Sequence, residues 1–167
     1  MANLLLPCDG SPNALRAVRH VIAEHRREPG LRVHLLNVQP AFSAYVARHV
    51  SREVRADFHR ERSSVALEPA RRLLAEAGVE HHVHAEVGDR VGCILAAARR
   101  LRCDRIVMGT ARRSPLVRAI GQSLTGALIE RADVPVEVIV GDQASALERI
   151  GIPASVGAGA ALLWAAN

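Results

Sequence analysis

The segment from Arg105 to Val140, RIVMGTARRSPLVRAIGQSLTGALIERADVPVEVIV, carries the residues best placed to do chemistry. It reads as a buried strand ending in Gly109, a loop with Arg112, Arg113 and Ser114, a helix opening near Gln122–Ser123, and a second buried strand. A junction between a strand's carboxyl end and a helix's amino end gathers free backbone N–H groups and the positive end of a helix dipole, so it suits a phosphate. Asp9 is the second candidate. It follows the first apolar run, in LLLPCDGSP, where a carboxylate can accept hydrogen bonds from a ribose or a base. Two local roles compete there: Asp9 can cap the following helix or close an Asx-turn onto Ser11. Ser123 is likewise suited to a phosphate, to capping its helix, or to both.

Other chemistry is poorly supplied. His81, His82 and His84 fall on a strand, with His82 and His84 on one face and His81 on the other, and no cysteine or carboxylate pattern completes a metal site. They read as surface histidines. Cys8, Cys93 and Cys103 lack metal spacing and sit in or beside apolar runs, as reduced packed thiols do. No Ser-His-Asp order, nucleophile elbow or carboxylate pair stands out, so no enzyme active site is expected. All 22 basic residues are arginine, which excludes a P-loop lysine or a Schiff base. The net charge of +5 does not imply nucleic acid, because acidic residues are interspersed and the four aromatics (Phe42, Tyr45, Phe58 and Trp164) cannot form stacking platforms.

The elements that must position these groups can be traced along the chain. Strands are expected at Asn3–Cys8, Arg32–Val38, His82–Val87, Arg105–Met108 and Val134–Val140. Between them lie a helix to about His25, with Leu15, Val18, Val21 and Ile22 on its apolar face, a long helix over Ser51–Ala77, and a helix over Val91–Leu101. In the long helix Val54, Phe58, Val65, Leu73 and Ala77 form the expected apolar side, and Pro69 should kink it or begin a second piece. Gly88-Asp89 reads as a helix cap. Strictly alternating strands and helices predict one α/β domain, a parallel sheet with helices on both faces.

Together these segments resemble the universal stress protein family over residues 2–141 or so. LLLPCDGSPNALRAV is similar to the family's opening, including Pro7, Asp9 and Ser11; HAEVGDRVGCILAAARRLRCDRIVMGT resembles its third strand through fourth strand; ADVPVEVIV resembles its closing strand. The resemblance implies a single-domain, adenine nucleotide alpha hydrolase-like fold with a five-stranded parallel sheet in the order 3-2-1-4-5. It implies a universal stress domain over residues 1–141 and an extension over 142–167. Some family members bind ATP or AMP, with G-x2-G-x9-G-[ST] after the fourth strand. Here Gly109 matches the first glycine and Ser123 the hydroxyl, while Arg112 and Gln122 replace the other two glycines and Gly121 is displaced by one position. Arginine removes backbone freedom but brings a guanidinium suited to phosphate, so the loop is either rebuilt around arginine or abandoned.

By this resemblance Pro7, Asp9 and the backbone of Val38 face the nucleoside, and Gly109, Arg112, Gln122 and Ser123 the phosphates. The ligand would be ATP or AMP, with Mg²⁺ only for ATP. The protein is expected to be a homodimer through Val134–Val140, serving stress response or signalling. The alternative is a dimeric interaction module of the same fold that has lost its ligand. MANLLLPCDGS lacks a basic amino-terminal region, so a signal peptide is not expected and the cytoplasm is the expected compartment. The charge-free stretch Ile150–Ala166 has the length of a marginal bilayer span but is mostly Gly, Ala, Ser and Pro. A membrane partner is therefore not expected, and a packing arm is.

Overall fold

The computed structural model describes residues 2–112 and 124–143, with the strand ends 111–112 and 141–143 described by backbone alone. The element order is β1 (Ala2–Pro7), α1 (Pro12–Arg27), β2 (Leu31–Gln39), α2 (Ala44–His49), α3 (Arg52–Glu76), β3 (His81–Val87), α4 (Arg90–Arg100), β4 (Arg105–Arg112), α5 (Leu124–Arg131) and β5 (Val136–Gln143). All strand pairs are parallel, and the sheet order is β3-β2-β1-β4-β5. The expected architecture is therefore present, strand order and parallel pairing included.

Strand alternation divides the core into two layers. Leu4, Leu6, Val33, Leu35 and Val107 pack beneath α1 and α3, while Leu5, Leu36, Ile106 and Met108 pack beneath α4 and α5. β1 is the centre of the sheet: Leu4, Leu5 and Leu6 are fully buried, so its run of three leucines faces helices on both sides.

Three expectations change. α3 is one continuous helix through Pro69, so the proline does not begin a second piece. Pro69 is exposed, so the carbonyl it frees at Val65, itself 62% exposed, faces water rather than the core. The buried face of α3 is Ser63, Leu67, Ala70 and Leu74, whereas Val54, Phe58 and Val65 point outward. The spacing 63, 67, 70, 74 is helical, but half of that stripe is small or polar and a count of large apolar residues passes over it. Finally, β4 does not end at Gly109. It continues to Arg112, pairing Gly109 with Ile139 and Thr110 with Val140 before a bulge sets Arg112 against Gln143. β5 correspondingly begins at Val136 and runs to Gln143, later than the expected Val134–Val140.

Candidate functional site

The sheet opens at its centre. β1 pairs with β2 along its full length, from Ala2–Leu31 to Pro7–Leu36, but with β4 only at Leu4–Arg105 and Leu5–Ile106. Beyond Leu5 both strands continue and diverge. This is the switch point of the topology, since the chain turns from β1 toward β2 on one side and enters β4 on the other. Cys8 N–H donates to the Leu36 carbonyl at 2.8 Å, so alternation turns Pro7, which has no N–H, toward β4 where the ladder has already ended. The same alternation applies on β2. Leu36 faces β1, and Gln39 faces β3 by accepting from Gly88 N–H at 2.9 Å. The backbone N–H and C=O of Val38 therefore point past the end of β1, into the crevice.

The β1 side of this crevice is rigidly built. Asp9 is exposed just above it, and its Oδ1 accepts from Ser11 N–H at 3.0 Å. Ser11 in turn caps α1, its Oγ accepting from Ala14 N–H at 3.2 Å. The local role weighed for Asp9 is thus the one adopted, and it occupies one carboxylate oxygen. Gly10 has φ +81° and lies so near α3 that a Cβ would stand 3.0 Å from the Ala66 carbonyl oxygen. Behind this turn, buried Asn37 donates from Nδ2 to the Cys8 carbonyl at 2.8 Å, while its Oδ1 accepts from Ser63 Oγ at 2.9 Å and Gln39 Nε2 at 2.5 Å. One amide thus ties the ends of β1 and β2 to α3. Sequence reading missed it, although a lone Asn in the apolar run LLNV was the available signal.

Gly109 has a different reason to exist from the one expected. A Cβ there would stand 1.8 Å from the Asn13 carbonyl oxygen and 2.9 Å from Ala14 N. The glycine lets the first turn of α1 lie directly on β4, a packing role that any phosphate role would share. Of Arg112 only the strand position is described; Gln122 and Ser123 lie outside the described residues, as does the stretch 150–167. The cysteines offer no nucleophile. Burial raises the Cys8 and Cys103 thiols to about 11, and burial followed by Glu86 and Asp89 raises Cys93. Asp89 caps α4, accepting at Oδ2 from Gly92 N–H at 2.7 Å.

Of the three strand histidines His82 is exposed, as expected, while His81 and His84 are half-buried, and His84 meets a buried histidine of β2. His34, only 8% exposed, packs on His82 and His84, and its Nδ1 is 3.1 Å from His84 Nε2. Burial, followed by the neighbouring imidazoles and Arg32, lowers the His34 pKa. Burial, followed by Arg100 and His82, lowers that of His84. A cavity of about 220 Å³ lies elsewhere, between α4, β4 and the residues after α5, lined by Leu95, Ala98, Cys103, Ile106 and Val134. It is at the opposite end of β4 from the crevice. No described helix is long and apolar enough to cross a membrane.

A sequence model described as the universal stress protein family matches residues 1–139. The chain belongs to this family. A universal stress protein of Methanocaldococcus jannaschii is 27% identical over 138 residues, covering 81% of this chain and 80% of that one. Among solved structures, a universal stress family protein from Burkholderia pseudomallei superposes with a TM-score of 0.64 at 22% identity, covering 83% of this chain and 95% of its own. A family protein from Arabidopsis thaliana with AMP bound has a TM-score of 0.62 at 19% identity, with coverages of 87% and 94%. Both solved structures share the fold of this chain.

Proposed function

We propose that this chain binds an adenine nucleotide, ATP or AMP, in the crevice between β1 and β4, as a sensing ligand rather than a substrate. One observation carries the reading. The β1–β4 ladder stops at Leu5–Ile106 while both strands continue, so the backbone of Val38 and the exposed Asp9 line an opening at the carboxyl ends of the strands. Val38 would present its N–H and C=O to the adenine edge, and the second oxygen of Asp9 would accept from the ribose. Phosphates would meet the end of β4, with Arg112, Gln122 and Ser123 as the nearest candidates and Mg²⁺ required only by ATP. The AMP-bound Arabidopsis relative supports the ligand class. No general base near the phosphates is named by the sequence, so binding rather than hydrolysis is proposed.

The rival reading is a ligand-free interaction module, and two observations favour it: Asp9 is engaged by Ser11, and Gly109 is accounted for by α1. Thermal unfolding with ATP or AMP, each with and without Mg²⁺, separates the two. A ligand at a hundred times its Kd stabilises the fold by about 2.7 kcal/mol. An unmoved transition at millimolar nucleotide leaves the module.

A cytoplasmic stress-response role and a homodimer complete the proposal. Among the described residues β5 is an edge strand, and its outer N–H and C=O groups suit pairing with a second copy. Val140, 55% exposed, is the position at which to test it, because Val138 packs against the core. Sedimentation of Val140→Lys should show a weaker dimer than wild type.

A further inference from the structure

On the α1 face of the sheet, His20 and Glu24 stand one turn apart on α1 and meet Glu137 of β5. A spacing of four residues puts both helix side chains on one face. One donor atom from each of the three residues lies within 4.8 Å of the other two. His20 Nε2 is 2.7 Å from Glu137 Oε1. Arg105, the first residue of β4, reaches both carboxylates from the other side. It donates from a terminal nitrogen to Glu24 Oε1, and its Nε stands 4.0 Å from Glu137 Oε2. The arginine thus binds one oxygen of Glu24 and stands as a counter-charge beside Glu137. Among the described residues, the remaining oxygen of Glu24, Oε2, makes no hydrogen bond, and neither does Arg105 Nε. That oxygen is the one left open to a cation.

We propose that His20, Glu24 and Glu137 form a binding site for a divalent transition-metal ion of the zinc class, separate from the nucleotide crevice. One imidazole nitrogen and two carboxylate oxygens are ordinary ligands for such an ion, which would complete its coordination with water. Two carboxylates against one guanidinium leave the cluster with net negative charge before the ion enters. Arg105 acts as a positioning residue, fixing the orientation of the Glu24 carboxylate as hydrogen-bonded outer groups do at metal centres. The site is seven residues along α1 from the Asn13 that touches Gly109, a rise of about 10 Å. It therefore neither depends on the proposed nucleotide nor fails with it. Sequence spacing could not reveal it, because its third ligand comes from the last strand.

The test uses the full chain stripped with a chelator and titrated with Zn²⁺ by calorimetry, with Co²⁺ absorption as a spectroscopic readout of ligation. One ion per chain is expected to bind. His20→Gln, Glu24→Gln and Glu137→Gln should each weaken binding tenfold or more, and Arg105→Gln by about tenfold, the lower end for an outer-shell group. His84→Asn, which removes one partner of the His34–His84 contact, should leave the affinity unchanged. His20→Gln removes a half-exposed side chain whose ion pair is with Glu137, and it decides the matter if Glu24→Gln fails to fold. Absence of saturable binding overturns the proposal. So does binding that survives His20→Gln and is lost in His84→Asn, which would move the ion to the β2–β3 histidines.

Discussion

The two flanks of the central crevice are built on different principles. On the β1 flank, a turn, a cap and a buried amide fix every group in place: Asp9 to Ser11, Ser11 to Ala14, Asn37 to Cys8 and Ser63. These bonds hold the protein together whether or not a ligand arrives, and they leave Val38 backbone and one Asp9 oxygen turned outward. On the β4 flank, the one family glycine retained at register, Gly109, is held by the approach of α1, and the other two have become Arg112 and Gln122. The flank proposed for the nucleoside can thus persist by structural necessity alone. The flank proposed for the phosphates has no such protection, and it is where Arg112 and Gln122 stand in place of the glycines expected from the resemblance.

The largest effect that bears on this contrast is expected at Gly109. Gly109→Ala drives a Cβ into backbone at 1.8 Å, where no side-chain rotation relieves it, and should destabilise the fold by about 3 kcal/mol, the upper end for overpacking. Urea unfolding measures it. A near-neutral result would remove the packing account and return Gly109 to the phosphates. Next, Asn37→Ala leaves the Cys8 carbonyl and Ser63 hydroxyl without their partner and should cost about 2 kcal/mol. A loss confined to ligand affinity, with stability intact, would mean that the β1 flank is not structurally maintained.

A smaller effect concerns pH. His34 and His84 titrate below 6.5 in the fold because burial and neighbouring charge disfavour their protonated forms. The unfolded chain then binds protons that the folded chain resists. Stability is full above 6.5 and declines as pH falls through the folded pKa values. The melting temperature should drop from pH 7 to pH 5, and less so in His84→Gln. The smallest expected change is Arg112→Gly, which should alter nucleotide affinity without altering stability. A gain marks an abandoned loop, and a loss marks a loop in which arginine has taken over the phosphates.

Periodicity and punctuation were enough to read the sheet. LLLPCDGSP, the Gly88-Asp89 stop and the apolar runs marked every strand of the sheet, and the family resemblance supplied their order. What could not be read depends on contact across distance. Gly109 looked like a strand exit because its reason, the Asn13 carbonyl, lies 96 residues earlier (109 − 13). His34 met His84 only through the β2–β3 register, in which Leu36 pairs with His84. The six-residue α2, with no buried residue, left no apolar pattern to find. Pro7, Asp9 and Val38 stand at or beside the strand ends that border the crevice, whereas the loop residues Gln122 and Ser123 lie outside the described residues.

Amide hydrogen exchange with and without AMP tests the central claim most directly, because it reports where a ligand sits as well as whether it binds. Slower exchange is predicted at Val38, whose backbone faces the opening between β1 and β4, and at Asp9–Gly10 beside it. Unchanged exchange at millimolar AMP, or protection confined to the cavity around Leu95, Ile106 and Val134, would contradict it.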